Sequence, residues 1–402
     1  MKNLPKYVAH IFNFFYSIGS NTCQMVWISK LQNFQIVLPK SQTRNIVFQL
    51  FLATYLTHIA GVSILLYSYL PIYLEKGDYV RVTFHSFWAF GFLMCLMPHF
   101  FQGGQLHNIK ELVNETVHFA HKVKTEYKGF YFTDLFKKCL RFRLFIAFAF
   151  GYQCIYATLI CVIPLFIIFR KDVWHFGSIF YKIALYYFPS QEIPAIILGV
   201  IADSTHFIIL WGPFLLQVYL NLLLNQSFSA VAEGLRNYNH NLNSGCSGKT
   251  TVFSFKRIFQ TYSKLRVLST VYNNVYGRWY IPQLSSVFGA CFVVGAFMAI
   301  RLYQISNHVA MLFCGIGIIC TSLASLGIMT LFGSMVHQNS VKLETNLKKR
   351  LIKGRYLRRL LRTYKIESVK SGSFYEIHRI TTLTVVALVS NITSSLLISF
   401  QA

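Results

Sequence analysis

Seven long apolar stretches constrain the fold of this chain more than any other feature of its sequence. A helix needs about 20 apolar residues to cross a hydrocarbon core ~30 Å thick, and backbone inside lipid must satisfy its hydrogen bonds within the segment. All seven are that long, and Asp203 is the single charged residue that they contain. The predicted spans are 46–70, 82–101, 144–169, 193–223, 281–300, 309–336 and 380–400. The sequence therefore predicts an all-α integral membrane protein.

The positions of Lys and Arg between the spans predict the orientation of the chain. Of these residues, 32 lie in alternate segments beginning with the N-terminus, and only 6 lie in the other segments. Because positive charge stays on the cytoplasmic side, we expect a cytoplasmic N-terminus and an extracellular C-terminus. The segments predicted to be cytoplasmic are 1–45, the loops 102–143 and 224–280, and 337–379.

The net charge of +25 at first suggests nucleic acid as a partner. The basic residues lie in segments predicted to face anionic lipid headgroups, so the lipid membrane is the expected partner and no nucleic acid is expected. Nine cysteines show no paired spacing typical of disulfides or of a metal site. The sequence also lacks the hydrolase and phosphate-loop motifs that would indicate an enzyme. We expect no enzyme activity, no metal and no cofactor.

Asp203 is a candidate functional residue, because placing an ionisable group at the depth of a span costs free energy. Such a group is expected to face protein or water. It lies in the outer half of the fourth span, and His206 shares its helical face. One interpretation is an acid that bonds to a neighbouring helix or is hydrated at the end of a long span. The other is a polar group in a ligand pocket.

Aromatic residues in the outer halves of the spans offer a wider candidate site. Pockets between bundle helices are typically lined by aromatic groups with a few polar ones. Each aromatic residue could equally pack in the core or against lipid, because the chain is rich in such residues. The candidate ligand-binding residues are His85, Trp88, Tyr156, Asp203, His206, Phe207 and Phe297.

The last span is the most polar of the seven and carries a stripe at helical spacing, here called the pore stripe. Its residues are Thr384, Leu388, Asn391, Ser395, Ile398 and Ser399. Uncharged polar groups along one helical face suit either hydrogen bonds to another helix or a water-filled pore. A pore requires several copies around an axis, because one helix cannot enclose it.

A basic segment leads into this span. Leucines at helical spacing, among them Leu343, Leu347 and Leu351, predict an amphipathic helix within 337–379. It would act as an anchor or linker on the cytoplasmic side.

The sequence from Gly372 to Arg379, GSFYEIHR, then runs directly into the last span. With the seven spans, the cytoplasmic N-terminus and the short outer loops, this run resembles the insect odorant and gustatory receptor superfamily of seven-helix ligand-gated channels. Gustatory members commonly end in T-Y, five apolar residues and Q-F. Of that pattern this chain keeps Phe400 but has Ile392, Thr393 and Ser399 at the other positions.

The resemblance implies a cation channel in the cell membrane of a sensory neuron, opened by a small-molecule tastant or odorant. It implies a tetramer, of this chain alone or with co-receptor subunits. Residues 380–402 would line the central pore, and the six-helix bundle 46–336 would bind the ligand.

A G-protein-coupled receptor and a membrane transporter are the alternatives. The sequence lacks D-R-Y and N-P-x-x-Y, and its predicted orientation is opposite to that of a G-protein-coupled receptor. A transporter usually has several ionisable residues within its spans.

Overall fold

The computed structural model describes residues 4–17, 23–28, 33–38, 42–126, 176–241, 248–306, 309–350, 368–371, 375–378 and 381–399, with Ile163 and Arg359 as single residues. The longer α-helices are α1 Leu4–Ser17, α2 Gln42–Glu75, α3 Tyr79–Glu126, α4 Phe176–Tyr187, α5 Glu192–Asn241, α6 Gly248–Tyr272, α7 Ile281–Phe297, α8 Val309–Arg350 and α9 Thr381–Ser399. Two small antiparallel sheets add strands that the all-α prediction omitted: β1 Gln24–Ile28 with β2 Asn33–Val37, and β3 Lys370–Ser371 with β4 Tyr375–Glu376.

Six of the seven predicted spans coincide with helical segments, and the third, 144–169, falls outside the described residues apart from Ile163. Within the described part of the chain, two helical stretches are both long and apolar enough to cross a membrane, Lys256–Arg301 and Met311–Lys349. Ile46–Gly61 and Leu383–Ser395 are shorter apolar helices. The full count of seven spans and their orientation stay predictions.

Several helices continue well beyond the apolar stretches. The described parts of the predicted loops 102–143 and 224–280 are helical, because α3 runs on to Glu126 and α5 to Asn241. Helix α8 runs on to Arg350, into the segment where an amphipathic helix was predicted. Along the extension of α3 the buried residues recur every three or four positions, the spacing that places them on one helical face. They are Ile109, Leu112, Val113, Thr116, Val117, Ala120 and Val123. The extensions thus join the apolar stretches in one core.

An uninterrupted helical rod connects α6 to α7 and includes two π-helical segments. The first is Asn273–Tyr280, here called the π segment, and the second is Met298–Leu302. π-Helical turns are rare and often mark functional sites. The rod ends in a short helix, Tyr303–Ser306.

The long helix α5 lies at the centre of the packing. It contacts α3, α4 and α8, while α9 packs against α7 and α8. Small residues let α7 and α8 cross closely: a Cβ on Gly315 would lie 2.5 Å from the Gly295 carbonyl oxygen and from the Ala299 nitrogen. Glycine at a crossing of this kind allows two helix backbones to approach each other.

Two asparagines hold the N-terminal β1–β2 hairpin in place. Asn13 of α1 donates to the Met25 carbonyl at 3.1 Å and accepts from the Met25 N–H at 2.9 Å. Asn114 of α3 does the same for Ile36, at 3.1 Å and 3.0 Å. Each amide therefore satisfies the donor and the acceptor of one strand residue, which is a role that no periodic pattern reveals.

The Gly315 crossing gives a direct test of the packing of α7 against α8. We expect Gly315→Val to lower the melting temperature of the purified protein, because the added carbons overlap backbone atoms that cannot move without separating the helices. Overpacking of this kind costs ~1–3 kcal/mol. Thermal unfolding in detergent, followed by intrinsic fluorescence, measures the change.

Gly327→Ala on the same helix is the matched control. A Cβ there meets nothing within 4 Å, so this change is expected to leave stability equal or slightly higher. Equal melting temperatures for Gly315→Val and the unmodified chain would contradict the close crossing.

Candidate functional site

Helix α9 has one face packed inside the chain and one face turned outward. Thr381, Val389 and Thr393 are buried on the inner face. A Cβ on Gly289 of α7 would lie 3.5 Å from a Val389 methyl, which is ordinary packing distance. The inner face therefore fixes the rotation of α9 against its neighbours.

The pore stripe lies on the outward face. Thr384, Leu388, Asn391, Ser395 and Ile398 are all exposed, Leu388 by 59% and Ile398 by 65% of their surfaces. Ser399 belongs to the helix, but its side chain lies outside the described residues. The structure thus gathers the described members of the stripe on a surface that the described part of the chain leaves exposed.

The predicted ligand pocket is described only in part. Tyr156 lies outside the described residues, as do the side chains of His85, Trp88, His206 and Phe207. Phe297 is half-buried at the end of α7, and Asp203 is buried on α5 with 4% of its surface exposed. The shared pocket stays a prediction, and the two described members lie on different helices.

Helix α4 packs on the first turns of α5, upstream of Asp203. Tyr181 and Ala195 form the buried contact between these helices, and the Tyr181 hydroxyl donates to Glu192 Oε1 at 3.3 Å. Asp203 lies two helical turns further along α5 than Ala195. Burial of a carboxyl group at this position fits either interpretation drawn from the sequence, an acid bonded within the bundle or a polar group of a pocket.

Six buried side chains form a second constellation, here called the polar ladder. They are Gln217, Asn221 and Asn225 of α5, and Tyr272, Tyr276 and Tyr280 of the rod. The Asn225 amide donates to Asn221 Oδ1 at 2.6 Å and contacts the Tyr272 hydroxyl at 2.9 Å. The Tyr272 hydroxyl donates to Asn221 Oδ1 at 2.9 Å, and the Tyr276 hydroxyl donates to Gln217 Oε1 at 3.0 Å.

An aromatic ring of α3 packs against the tyrosines of the polar ladder. The Phe101 ring stacks on Tyr280 with ring centroids 4.8 Å apart and meets Tyr276 at 5.3 Å. Tyr272 and Tyr276 stack on each other at 5.4 Å. The ladder therefore joins three helices through hydrogen bonds and ring contacts together.

Sequence reasoning missed the polar ladder, although a signal for it was present. Its residues recur at intervals of four on both helices, the spacing of one helical face. The second half of the ladder lies in 224–280, which the charge pattern assigned to a cytoplasmic loop. The regular spacing of Tyr272, Tyr276 and Tyr280 within a helix would have indicated a buried face.

A neighbouring face of the π segment, one residue along from the tyrosines, holds the strand that leads toward α9. The Asn273 amide donates to the Ser368 carbonyl at 3.0 Å, and the Lys370 N–H donates to Asn273 Oδ1 at 2.9 Å. A Cβ on Gly277 would lie 2.8 Å from the Lys370 carbonyl oxygen, so the strand lies directly on this glycine. These contacts are here called the asparagine clamp.

A short chain of contacts connects the clamp to the first turn of α9. The Ile377 N–H donates to the Val369 carbonyl at 2.8 Å, and Ile377 is buried against Gly333 of α8. The His378 N–H then donates to the Thr381 hydroxyl at 2.9 Å. The polar ladder, the π segment, the β3–β4 hairpin and α9 are thus in continuous contact.

Comparison with known proteins identifies this architecture. No protein-family model matches the sequence, and no curated protein matches it. Among solved structures, the insect olfactory receptor OR5 from Machilis hrabei has a TM-score of 0.69 over 98% of both chains at 12% identity. The same receptor in complex with eugenol has a TM-score of 0.67, with the same identity and coverage.

The chain therefore has the fold of an insect olfactory receptor. The resemblance predicted from the sequence is confirmed at the level of the fold, over nearly the whole chain. The likeness does not separate odorant from gustatory members.

The asparagine clamp can be tested by substitution of Asn273, with the neighbouring Asn274 as the control. We expect Asn273→Ala to speed hydrogen exchange in 368–378 and to destabilise the protein by about 0.5–1.5 kcal/mol, because it removes two partly solvated hydrogen bonds that hold the strand. Asn274 is exposed beside it, so Asn274→Ala should change neither quantity. Hydrogen-exchange mass spectrometry measures the local effect, and equal exchange in the two variants would show that the clamp does not hold the strand.

Proposed function

We propose that this chain is a chemosensory receptor that acts as a ligand-gated cation channel. The observation that carries the proposal is the exposed pore stripe on the last helix of a chain with the fold of the olfactory receptor OR5. A receptor of this kind needs no catalytic group, and we infer that the chain is not an enzyme.

The proposed pore is built from several copies of α9. The packed face of α9 leaves Thr384, Asn391 and Ser395 outward, where copies around an axis could enclose water. Leu388 and Ile398 would supply apolar constrictions in the same path. Because the stripe contains no acid, cation preference would come from hydroxyl and amide groups.

We propose that the ligand is a small molecule held in the outer part of the bundle. OR5 has been solved with eugenol bound, which supports a small-molecule ligand for this chain. The proposed binding residues are those predicted from the sequence, with buried Asp203 as the polar member among aromatic rings. Aromatic residues favour apolar ligands, whereas Asp203 and His206 favour hydroxylated ones such as sugars.

The proposed assembly is a tetramer in the cell membrane, of this chain alone or with co-receptor subunits. The N-terminus would be cytoplasmic and the C-terminus extracellular, as the distribution of Lys and Arg indicates. The long helical extensions and the polar ladder would then lie toward the cytoplasm.

Current recording from cells that express only this chain tests the function. The compounds should include volatile aromatic molecules, eugenol among them, and sugars. A cation current that appears with one compound and is absent from untransfected cells would support the channel. Ligand responses that depend on a G protein and occur without current would instead support the G-protein-coupled alternative.

Cysteine accessibility tests the pore stripe. In cells with the channel open, we expect Thr384→Cys, Asn391→Cys and Ser395→Cys to react with a water-borne thiol reagent and to change the current, because their positions are outward. Val389→Cys is the control, since position 389 is buried on the inner face. Exposed positions that remain unreactive in conducting channels would place the stripe against lipid or protein.

Substitutions in the pore stripe and in the proposed pocket should have different effects on dose–response curves. Asn391→Leu removes an amide from the proposed water path, so conductance or ion selectivity should change while the half-maximal ligand concentration shifts less than about twofold. Asp203→Ala should shift that concentration by about tenfold, the effect of ~1.4 kcal/mol, and leave single-channel conductance unchanged. The reverse pattern would mean that pore and pocket have been exchanged.

A further inference from the structure

Two histidines meet where α8 passes the start of α9. His337 lies on α8, one residue beyond the predicted span 309–336, and His378 lies three residues before the first residue of α9. Their rings are in edge contact, with centroids 4.3 Å apart and planes at 68°. Nδ1 of His337 is buried and has no hydrogen-bond partner among the described residues.

The contact between the two histidines lies directly before the last helix, to which His378 is hydrogen-bonded. The His378 N–H donates to the Thr381 hydroxyl, and the Thr381 N–H donates to the His378 carbonyl at 3.1 Å. Two hydrogen bonds therefore tie His378 to the first residue of α9. On the side of α8, the close approach of Gly333 and Ile377 holds the two segments together, since a Cβ on Gly333 would lie 3.3 Å from the Ile377 Cβ.

We propose that His337 and His378 form a proton-operated latch, which fastens the start of α9 to α8 while the His337 ring is neutral and releases it when that ring is protonated. The neutral His337 ring packs edge to face against His378. A proton on His337 adds a positive charge to the ring and a hydrogen-bond donor at buried Nδ1, which has no partner among the described residues. Imidazole is the side chain whose ordinary proton uptake, near pH ~6.5, falls closest to the pH of cells.

The charged surroundings set the direction of the effect. Burial lowers the pKa of His337, the neighbouring His378 lowers it further, and Glu376 acts in the opposite sense. Glu376 is itself paired with Lys370 at 3.8 Å, and the sequence adds Arg379 directly after His378. Because the pKa of His337 in the folded protein lies below its ordinary value, the latch is fully fastened above about pH 6.5. It weakens as the pH falls below that value.

The consequence for gating rests on the proposed function. If α9 lines a pore, its first turn receives movements of the bundle through α8 and the hairpin. An unfastened start of α9 transmits those movements poorly. We therefore expect acidification on the side of the latch, predicted to be the cytoplasm, to reduce the current.

Local hydrogen exchange tests the latch without any assumption about conduction. In the purified full-length protein, exchange in 368–381, corrected for the intrinsic effect of pH, should rise at least about threefold between about pH 7.5 and about pH 5.5. His337→Gln should remove most of that rise, because a glutamine does not titrate. His118→Gln is the control on exposed α3 surface and should leave the rise intact. An equal rise in all three proteins would overturn the latch.

A reversible crosslink then tests the effect on current. Gly333→Cys with Ile377→Cys places two Cβ atoms near the separation that a disulfide requires. In inside-out patches, lowering the bath from about pH 7.4 to about pH 5.8 should reduce the current at least about twofold. Oxidation of the cysteine pair should abolish the reduction, and dithiothreitol should restore it.

Hydrogen exchange tests the latch itself, whereas the current recording tests its effect on gating, so each can fail without the other. If the pH dependence of hydrogen exchange requires His337 but the current does not change with bath pH, the latch is supported and its role in gating is overturned. An absence of current under every condition would instead contradict the proposed channel, and the exchange result would be unaffected.

Discussion

Attachment of the β3–β4 hairpin to the π segment is the constraint on which the position of α9 depends. The hairpin ends at Glu376, and α9 begins at Thr381. The asparagine clamp holds the hairpin from one side, and the burial of Ile377 against α8 holds it from the other. Since residues 368–378 precede α9 directly, their contacts set where the outward stripe points. The rotation of the last helix thus depends on the contacts of the preceding segment as well as on its own packed face.

Buried polar groups explain why the helices pack in one arrangement. Apolar packing alone tolerates small shifts of one helix along another, because neighbouring apolar surfaces are chemically alike. The polar ladder restricts such shifts, since a shift of one turn would break the hydrogen bonds between α5 and the tyrosines. Asn221 and Asn225 bond to Tyr272, and Gln217 bonds to Tyr276. The ladder and the clamp use neighbouring faces of the same rod, so the register of α5 is tied to that of the hairpin.

Hydropathy and charge were sufficient to predict the helical framework. Each apolar stretch within the described residues is helical. Asn391 of the pore stripe is exposed and Val389, which lies off the stripe, is buried, while the role of the stripe stays a prediction. The extensions of α3 and α5 escaped prediction because their buried stripes are narrow and lie among charged residues, as between Ile109 and Val123. Leucine spacing did predict a helix beyond residue 336. Lys and Arg counts locate a segment relative to the membrane and carry no information on its secondary structure.

Contacts between distant residues could not be predicted from the sequence at all. Asn13, Asn114 and Asn273 each bond to the backbone of a strand far from them along the chain. An asparagine amide carries a donor and an acceptor side by side, which matches the edge of a strand. In sequence, however, these three asparagines resemble any others. The triplet that begins at Asn114 even reads as a glycosylation motif, yet the side chain serves the hairpin.

The polar groups on the outward face of α9 differ in how well they tolerate lipid. Hydroxyl groups in a helix can bond back to the carbonyl one turn earlier, so Thr384 and Ser395 could be satisfied even against lipid. An amide has two donor hydrogens and a carbonyl oxygen, which one such bond cannot satisfy. Exposed Asn391 would therefore be costly in hydrocarbon and suits water or the amide of another copy. Of all the residues of the stripe, Asn391 discriminates best between a helix that faces lipid and one that faces an axis of assembly.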